Sequence, residues 1–190
     1  MTVNFKNLDA TKVRSFVWFM SKLPVRIETL VIRDLYTPKL LSTENMFRDS
    51  HGLMFVDIGD FETSNLSVAS RMFRDCSELE TVIFRSTETW RLLQVDEMFS
   101  GCKKLKNIDL PAIIPDGSSL RRAEYMFINC YNLSYLDFSA FNINDNTITV
   151  SAFRNCTNLF KYMDDLKMPE NEQSAELIAS QLLSDDQNSD

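Results

Sequence analysis

The sequence predicts an α/β solenoid of about six coils, with parallel strands on one face and short helices returning along the other. The first observation is a repeated sequence motif, whose clearest copy runs from Met98 to Leu110. The second is its period. The leading Leu or Ile recurs at positions 27, 53, 79, 105, 133 and 159, with spacings of 26, 26, 26, 28 and 26 residues. A fixed period of roughly 20 to 50 residues is typical of a solenoid, because each repeat must bury its apolar side against its neighbours.

Residues 1–24, the first segment in chain order, do not contain the repeated motif. Asp9 or Thr11 is predicted to cap a helix that runs to about Lys22, with apolar side chains spaced by three and four residues. We interpret this segment as an N-terminal helical cap over the open end of the solenoid core. A helix that docks on a partner is the alternative.

Residues 25–168 form the predicted solenoid. Each Leu-x-x-Leu-x-Leu segment alternates apolar and variable positions, which predicts a short strand with one buried face. The return after each strand carries a Met-Phe pair and is predicted to be helical, as from Val68 to Phe73. One return is longer by two residues, and the extra length lies within residues 111–120. This loop is either a simple bulge or part of a binding surface.

Residues 169–190 form the last predicted segment, a C-terminal helix followed by an acidic tail. Apolar side chains recur on one face of a helix from Glu170 to about Leu183, which we interpret as a C-terminal cap. A partner-binding helix is again the alternative. The three segments together make a single structural domain of ordinary size.

Charge is unevenly distributed along the chain. The net charge is -7, and residues 170–190 contribute six acidic residues and no Lys or Arg, which leaves -1 for residues 1–169. The near-neutral body disfavours nucleic acid as a partner, since phosphate-backbone binding needs a basic face. The sequence shows no leader peptide and no long apolar run, so we expect no membrane span. We expect a cytoplasmic protein, with a cell-surface protein or one delivered into a host cell as the alternatives.

The cysteines and the single histidine are weak candidates for chemistry. Cys76, Cys102, Cys130 and Cys156 occupy one slot in successive repeats, so they are predicted to stack as a column of buried thiols. A column does not converge on a metal ion, and its parallel side chains disfavour disulfides. His51 lies in a polar turn, and no nucleophile or acid stands at a spacing from it that is typical of a catalytic site. We therefore expect no enzyme and no cofactor.

The outward positions of the predicted strands give the candidate binding site. Aromatic and apolar side chains alternate there with carboxylates, a pattern typical of protein-binding surfaces. The candidate residues are Phe55, Asp57, Ile83, Arg85, Asn107, Asp109, Tyr135, Asp137 and Met163. Their carboxylates would suit a protein partner with a patch of Lys or Arg. An ordinary strand surface with incidental apolar residues is the alternative.

The repeat resembles that of a known family. Met-Phe-x-x-Cys-x-x-Leu-x-x-Leu-x-Leu resembles the Treponema-type leucine-rich repeat of BspA-like bacterial and protist surface proteins. The stretch from Val56 to Leu66 is similar to a longer-repeat branch that is common in mycoplasmas and other host-associated bacteria. The resemblance covers about residues 25–165. It implies a right-handed leucine-rich-repeat superhelix with its strands on a concave face, and adhesion or protein binding in place of catalysis.

These observations lead to one hypothesis and two alternatives. We expect a non-catalytic protein-binding module that acts through its concave face, as an intracellular inhibitor, an immunity-type protein or an effector. The first alternative is a cell-surface adhesin of the BspA-like type. The second is an inhibitor of a nucleic-acid-binding enzyme, of phage or mobile-element origin, that uses the acidic tail as a charge mimic.

Overall fold

In the computed structural model, successive repeats stack as parallel strands. The structure describes residues 1–7, 9–59, 64–84, 91–109, 120–138, 147, 149–161 and 172–187. A four-stranded parallel sheet has the strand order β1 (Thr2–Lys6), β2 (Thr29–Arg33), β3 (Phe55–Ile58) and β4 (Thr81–Phe84). A two-stranded parallel sheet pairs β5 (Asn107–Ile108) with β6 (Tyr135–Leu136). Parallel neighbours that follow one another in sequence establish a β-solenoid of about four turns in the larger sheet.

The register of the strands places one face in the core. Leu30, Val56 and Val82 lie side by side in neighbouring strands and are buried. The residues on either side of them point to the opposite face, because side chains alternate along a strand. The repeat of 26 residues therefore keeps the same side of every strand in the core.

The returns between strands are turns linked by main-chain hydrogen bonds, and the predicted helix from Val68 to Phe73 is wrong. The N–H of Phe47 donates to the carbonyl of Met72 at 2.9 Å, and the N–H of Phe73 donates to Met98 at the same distance. These donors are committed to the next return and are unavailable to a helix. Arg71 also has a φ of 58°, a left-handed conformation that interrupts a right-handed helix.

The predicted N-terminal helix is also wrong, because residues 9–22 fold like the returns that follow. The chain begins with strand β1, which pairs with β2. The N–H groups of Phe16, Trp18 and Met20 then donate to the carbonyls of Ser42, Glu44 and Met46. Phe19-Met20 stands where later repeats have Met-Phe, so the apolar pair is present in reversed order.

A stack of phenylalanine rings forms the centre of the core. Neighbouring rings lie 5.1, 5.5, 5.5 and 5.9 Å apart along the series Phe47, Phe73, Phe99, Phe127 and Phe153. All five are buried. Each ring contributes its apolar area and stacks on one neighbour at the ends of the series or on two within it, so the stack stabilises the solenoid along its length.

Two helices follow the last described return. Helix α1 spans Thr157–Lys161 and buries Leu159. Helix α2 spans Glu172–Gln187, close to the helix that the sequence predicts, and buries Ile178 and Leu182. The carboxylate of Asp185 on α2 accepts a hydrogen bond of 2.8 Å from the N–H of Phe153. The C-terminal helix is thus tied to the main chain of the solenoid as well as to its core.

Candidate binding site on the strand face

The outward side of the strands, here called the strand face, carries most of the predicted site residues. Phe55, Asp57 and Ile83 lie on β3 and β4, and Asn107 and Tyr135 lie on β5 and β6. Asp109 and Asp137 follow β5 and β6 directly. Arg85 and Met163 lie outside the described residues, as does most of the 111–120 loop.

Asp57 is not an accessible carboxylate, although it lies on the strand face. It is 2% exposed, and Arg33 Nη2 donates to its Oδ2 at 2.6 Å. Val31 and Ile83 are its partners in the two neighbouring strands. The Arg33 guanidinium therefore covers Asp57 and neutralises it, and the first half of the strand face offers an ion pair in place of a free negative charge.

The Arg33–Asp57 pair is a feature that the sequence reasoning missed. The two residues are 24 positions apart, which is the repeat length less two. In stacked parallel strands this separation makes them diagonal neighbours on one face. The separation of 24 residues can be read from the sequence, but it indicates a contact only when the register of neighbouring strands is known.

The second half of the strand face carries several exposed side chains. Asn107 and Tyr135 are direct partners across β5 and β6, and both side chains are exposed, Tyr135 by 41%. Asp109 is exposed and Asp137 is half-buried. An aromatic ring, an amide and carboxylates therefore share one surface, where they can pack against and hydrogen-bond to another protein.

The cysteines form the predicted column, and each thiol has a hydrogen-bond partner. Cys76 Sγ donates to the carbonyl of Phe47 in the return before it. Cys102, Cys130 and Cys156 donate in the same way to Phe73, Phe99 and Phe127, and the four distances are 3.1 to 3.2 Å. Ser50 fills the same slot and donates to Met20 at 3.2 Å. Burial raises the pKa of Cys76 to about 12 and raises the pKa of the other three thiols as well. The thiols are therefore poor nucleophiles, because the thiolate is the reactive form.

The charged residues of the returns are paired between neighbouring repeats. Arg71 contacts Glu97 at 2.8 Å and Glu44 at 3.4 Å. Lys104 contacts Glu78 at 2.5 Å, and Lys106 contacts Glu80 at 3.1 Å. Exposed pairs of this kind add little stability each. They do, however, place a carboxylate of a neighbouring repeat against each of these three basic residues.

Among the residues that the structure describes, His51 and the acidic side chains do not converge on a metal site. The Nδ1 atom of His51 lies 2.7 Å from the carbonyl oxygen of Asp75, on the surface. Among the described residues, no group of three or more His, Cys, Asp and Glu side chains is placed to hold a metal ion. In the same part of the chain, no helix is long and apolar enough to span a membrane.

The repeated returns and strands are matched by a known protein family. Residues 41–168 fit the family described as "Mycoplasma protein of unknown function, DUF285", and this span covers 128 of the 190 residues. The chain belongs to this family. The DUF285 match begins beside Ser42, in the return that pairs with residues 16–22, and ends before helix α2. The reversed Phe19-Met20 return and the C-terminal helix thus lie outside it. No curated protein and no solved structure matches the chain significantly.

Proposed function

We propose that this chain is a non-catalytic module that binds a partner protein through the second half of its strand face. The observation that carries the proposal is the exposed pair Asn107–Tyr135, with the Asp109 carboxylate on the same surface. Tyrosine is enriched at the energetic centres of protein interfaces, because its ring buries apolar area while its hydroxyl stays hydrogen-bonded. The exposed carboxylate favours a partner surface that carries Lys or Arg.

We also propose that the repeat is of the leucine-rich BspA-like type, with about six coils in a right-handed superhelix. The leading leucines support this proposal because they are fully buried in one register, at Leu53, Leu79, Leu105, Leu133 and Leu159. The hydrogen bonds between returns support it too, since they continue from Phe16 as far as Arg154. Helix α2 would then serve as the C-terminal cap of the solenoid.

The role that we propose is that of a cytoplasmic inhibitor, immunity-type protein or effector, and a cell-surface adhesin is the alternative that the resemblance offers. Protease treatment of intact source cells separates the two, because only a surface protein is cleaved. Charge mimicry by the acidic tail has weaker support. Asp185 of that tail is buried against Phe153, so its side chain is not displayed to a partner.

The binding proposal is tested by comparing two tyrosines of similar exposure. A partner is captured from lysate with the wild-type chain, identified by mass spectrometry, purified and titrated against variants. Tyr135→Ala is expected to weaken binding by about 30-fold, since truncation of an interface aromatic costs about 2 kcal/mol. Asp109→Lys is expected to slow association and to reduce its dependence on salt.

Tyr131→Ala is the matched control. Tyr131 is 39% exposed, close to the 41% of Tyr135, but it lies in a return and not on the strand face. Its removal is expected to leave the affinity within about twofold of wild type. Equal losses in both variants, or no loss in Tyr135→Ala, would reject the strand face as the binding site.

A further inference from the structure

In the second part of each return, three main-chain hydrogen bonds to the next return all run in one direction. The N–H groups of Tyr125, Phe127 and Asn129 donate to the carbonyls of Val150, Ala152 and Arg154 in the next return. The same three positions donate forward in each earlier return, beginning with Trp18, Met20 and Lys22. At these three positions, every return therefore presents donors toward the C-terminal end, and the residue before each donor presents its carbonyl toward the N-terminal end.

At the C-terminal end, helix α2 occupies the place where the next return would lie. The N–H of Phe153 is at the donor position, and its acceptor is the side-chain carboxylate of Asp185 in place of a main-chain carbonyl. Ile178 and Leu182 are buried beside it, and Thr149 Oγ1 lies 3.4 Å from Gln181 Oε1. The last return is thus covered by a helix that imitates one of the hydrogen bonds of a further return.

At the N-terminal end, the corresponding acceptors have no such cover. The carbonyls of Val17, Phe19 and Ser21 stand at the positions that accept hydrogen bonds in every later return. No donor among the described residues reaches them. The side chains of Val17 and Phe19, two of the residues that carry these carbonyls, are exposed, Phe19 by 58%. We call residues 17–25 the N-terminal end face.

We propose that the N-terminal end face is a self-association surface that accepts the last return of a second copy, and that α2 blocks this pairing in the free chain. The required donors are Ser151, Phe153 and Asn155, which stand in register with the acceptors Val17, Phe19 and Ser21. The two ends also share their backbone shape, because Ser151 and Asn155 have the positive φ angles of Trp18 and Lys22.

The occupant is a second copy because the contact continues an interface that already exists within the chain. The N-terminal end face offers the same row of main-chain acceptors that Glu44 and Met46 offer to the first return. Phe153 would be placed next to Met20, just as Phe127 lies next to Phe153 within the chain. A contact between unlike ends does not close on itself unless the rotation returns to the start, so an uncovered last return would lead to open chains of molecules.

The first test releases α2 in the full-length chain. Ile178→Asp/Leu182→Asp places two carboxylates in the buried face of the helix. The variant is expected to increase in mass with concentration in light scattering, while the wild type stays monomeric. Leu183→Asp is the matched control, because Leu183 is on the same helix but 54% exposed. If the release variant stays monomeric while retaining its native circular dichroism, the proposal is wrong.

The second test separates specific pairing from aggregation of a damaged protein. Phe19→Asp puts a charge on the N-terminal end face, where the side chain is exposed. Added to the release variant, it is expected to return the mass to that of a monomer. If the double aspartate change lowers the native dichroism, Asp185→Lys replaces it as the release variant, because it removes the acceptor of Phe153 without touching Ile178 or Leu182.

The decisive experiment mixes two chains that cannot associate alone. The wild type has an open N-terminal end face and a covered last return, while the release variant with Phe19→Asp has the opposite pattern. Their mixture is expected to form an equimolar complex in light scattering and in analytical ultracentrifugation. Two monomer peaks in the mixture would overturn the proposal. The strand face takes no part in these contacts, so the outcome is independent of the proposed partner-binding function.

Discussion

At the scale of single residues, Asp185 carries an unusual task for a carboxylate. It is 2% exposed, and its Oδ2 replaces a main-chain carbonyl as the acceptor for Phe153. Burial raises the pKa of Asp185, and the hydrogen bond from Phe153 and the nearby Arg154 charge oppose this effect in part. The folded chain therefore holds a proton at this site more tightly than the unfolded chain does.

This difference gives a prediction about pH. A carboxyl whose pKa is raised by folding contributes stability below its unfolded pKa, and the contribution is lost as pH rises through the folded pKa. Asp185→Asn keeps a carbonyl acceptor but cannot ionise. Urea unfolding is therefore expected to show the variant gaining stability relative to wild type as pH rises from below about 4 toward neutrality. A difference that does not change with pH would contradict the raised pKa.

Asp185→Ala is the companion variant. It removes the acceptor and leaves the buried N–H of Phe153 unsatisfied, which is expected to cost about 1–3 kcal/mol in the free energy of unfolding. Asp186→Ala, at an exposed neighbouring carboxylate, is expected to change it by less than about 0.5 kcal/mol.

At the scale of elements, the returns are held in place by a column of thiols. Each Sγ donates to the carbonyl of the phenylalanine one return earlier, so the column binds neighbouring returns together side by side. Ser50 makes the same contact with a hydroxyl. The slot therefore selects for a small donor that tolerates burial, which explains why it accepts both residue types.

The column leads to a prediction about reactivity. Because burial raises the pKa of every thiol, a thiol reagent at neutral pH is expected to modify the native chain very slowly. After unfolding in denaturant without reductant, all four cysteines are expected to react, since the structure leaves all four unpaired. Mass spectrometry counts the labels. Fewer than four labels on the unfolded chain, or rapid labelling of the native chain, would contradict this description.

At the scale of the whole molecule, each return contacts its immediate neighbours, so stability is a sum of local terms. Leu105 lies near the middle of the series and is fully buried. Leu105→Ala is expected to cost about 2–5 kcal/mol, as large-to-small changes in a packed core do. Leu183→Ala, at an exposed site, is the control. Chemical denaturation measures both, and equal small effects would mean that the register of the core is wrong.

The sequence predicted the architecture where one signal recurs in register. The spacing of the leading leucines predicted the stacked parallel strands, and the repeated cysteine slot predicted the thiol column. The C-terminal helix was predicted because its apolar face repeats over several turns. These features depend on periodicity alone, which a single sequence displays directly.

The rest depended on backbone geometry and on contacts between distant residues. Helical spacing in residues 9–22 and 68–73 was misleading, because non-glycine residues such as Trp18 and Arg71 adopt positive φ there. The first return escaped notice because Phe19-Met20 reverses the apolar pair and Leu23 stands in the cysteine slot. Likewise, Asp57 was predicted as an accessible site residue because its partner Arg33 comes from another strand.

The repeated main-chain hydrogen bonding between returns has a consequence for how this protein can evolve. Since each return meets the next through main-chain atoms, an in-frame duplication of one repeat inserts a unit that already fits both neighbours. Such a gene would encode a longer solenoid with the same first return and the same terminal helix. The length of the strand face can therefore grow in whole repeats while the first return and the terminal helix stay the same.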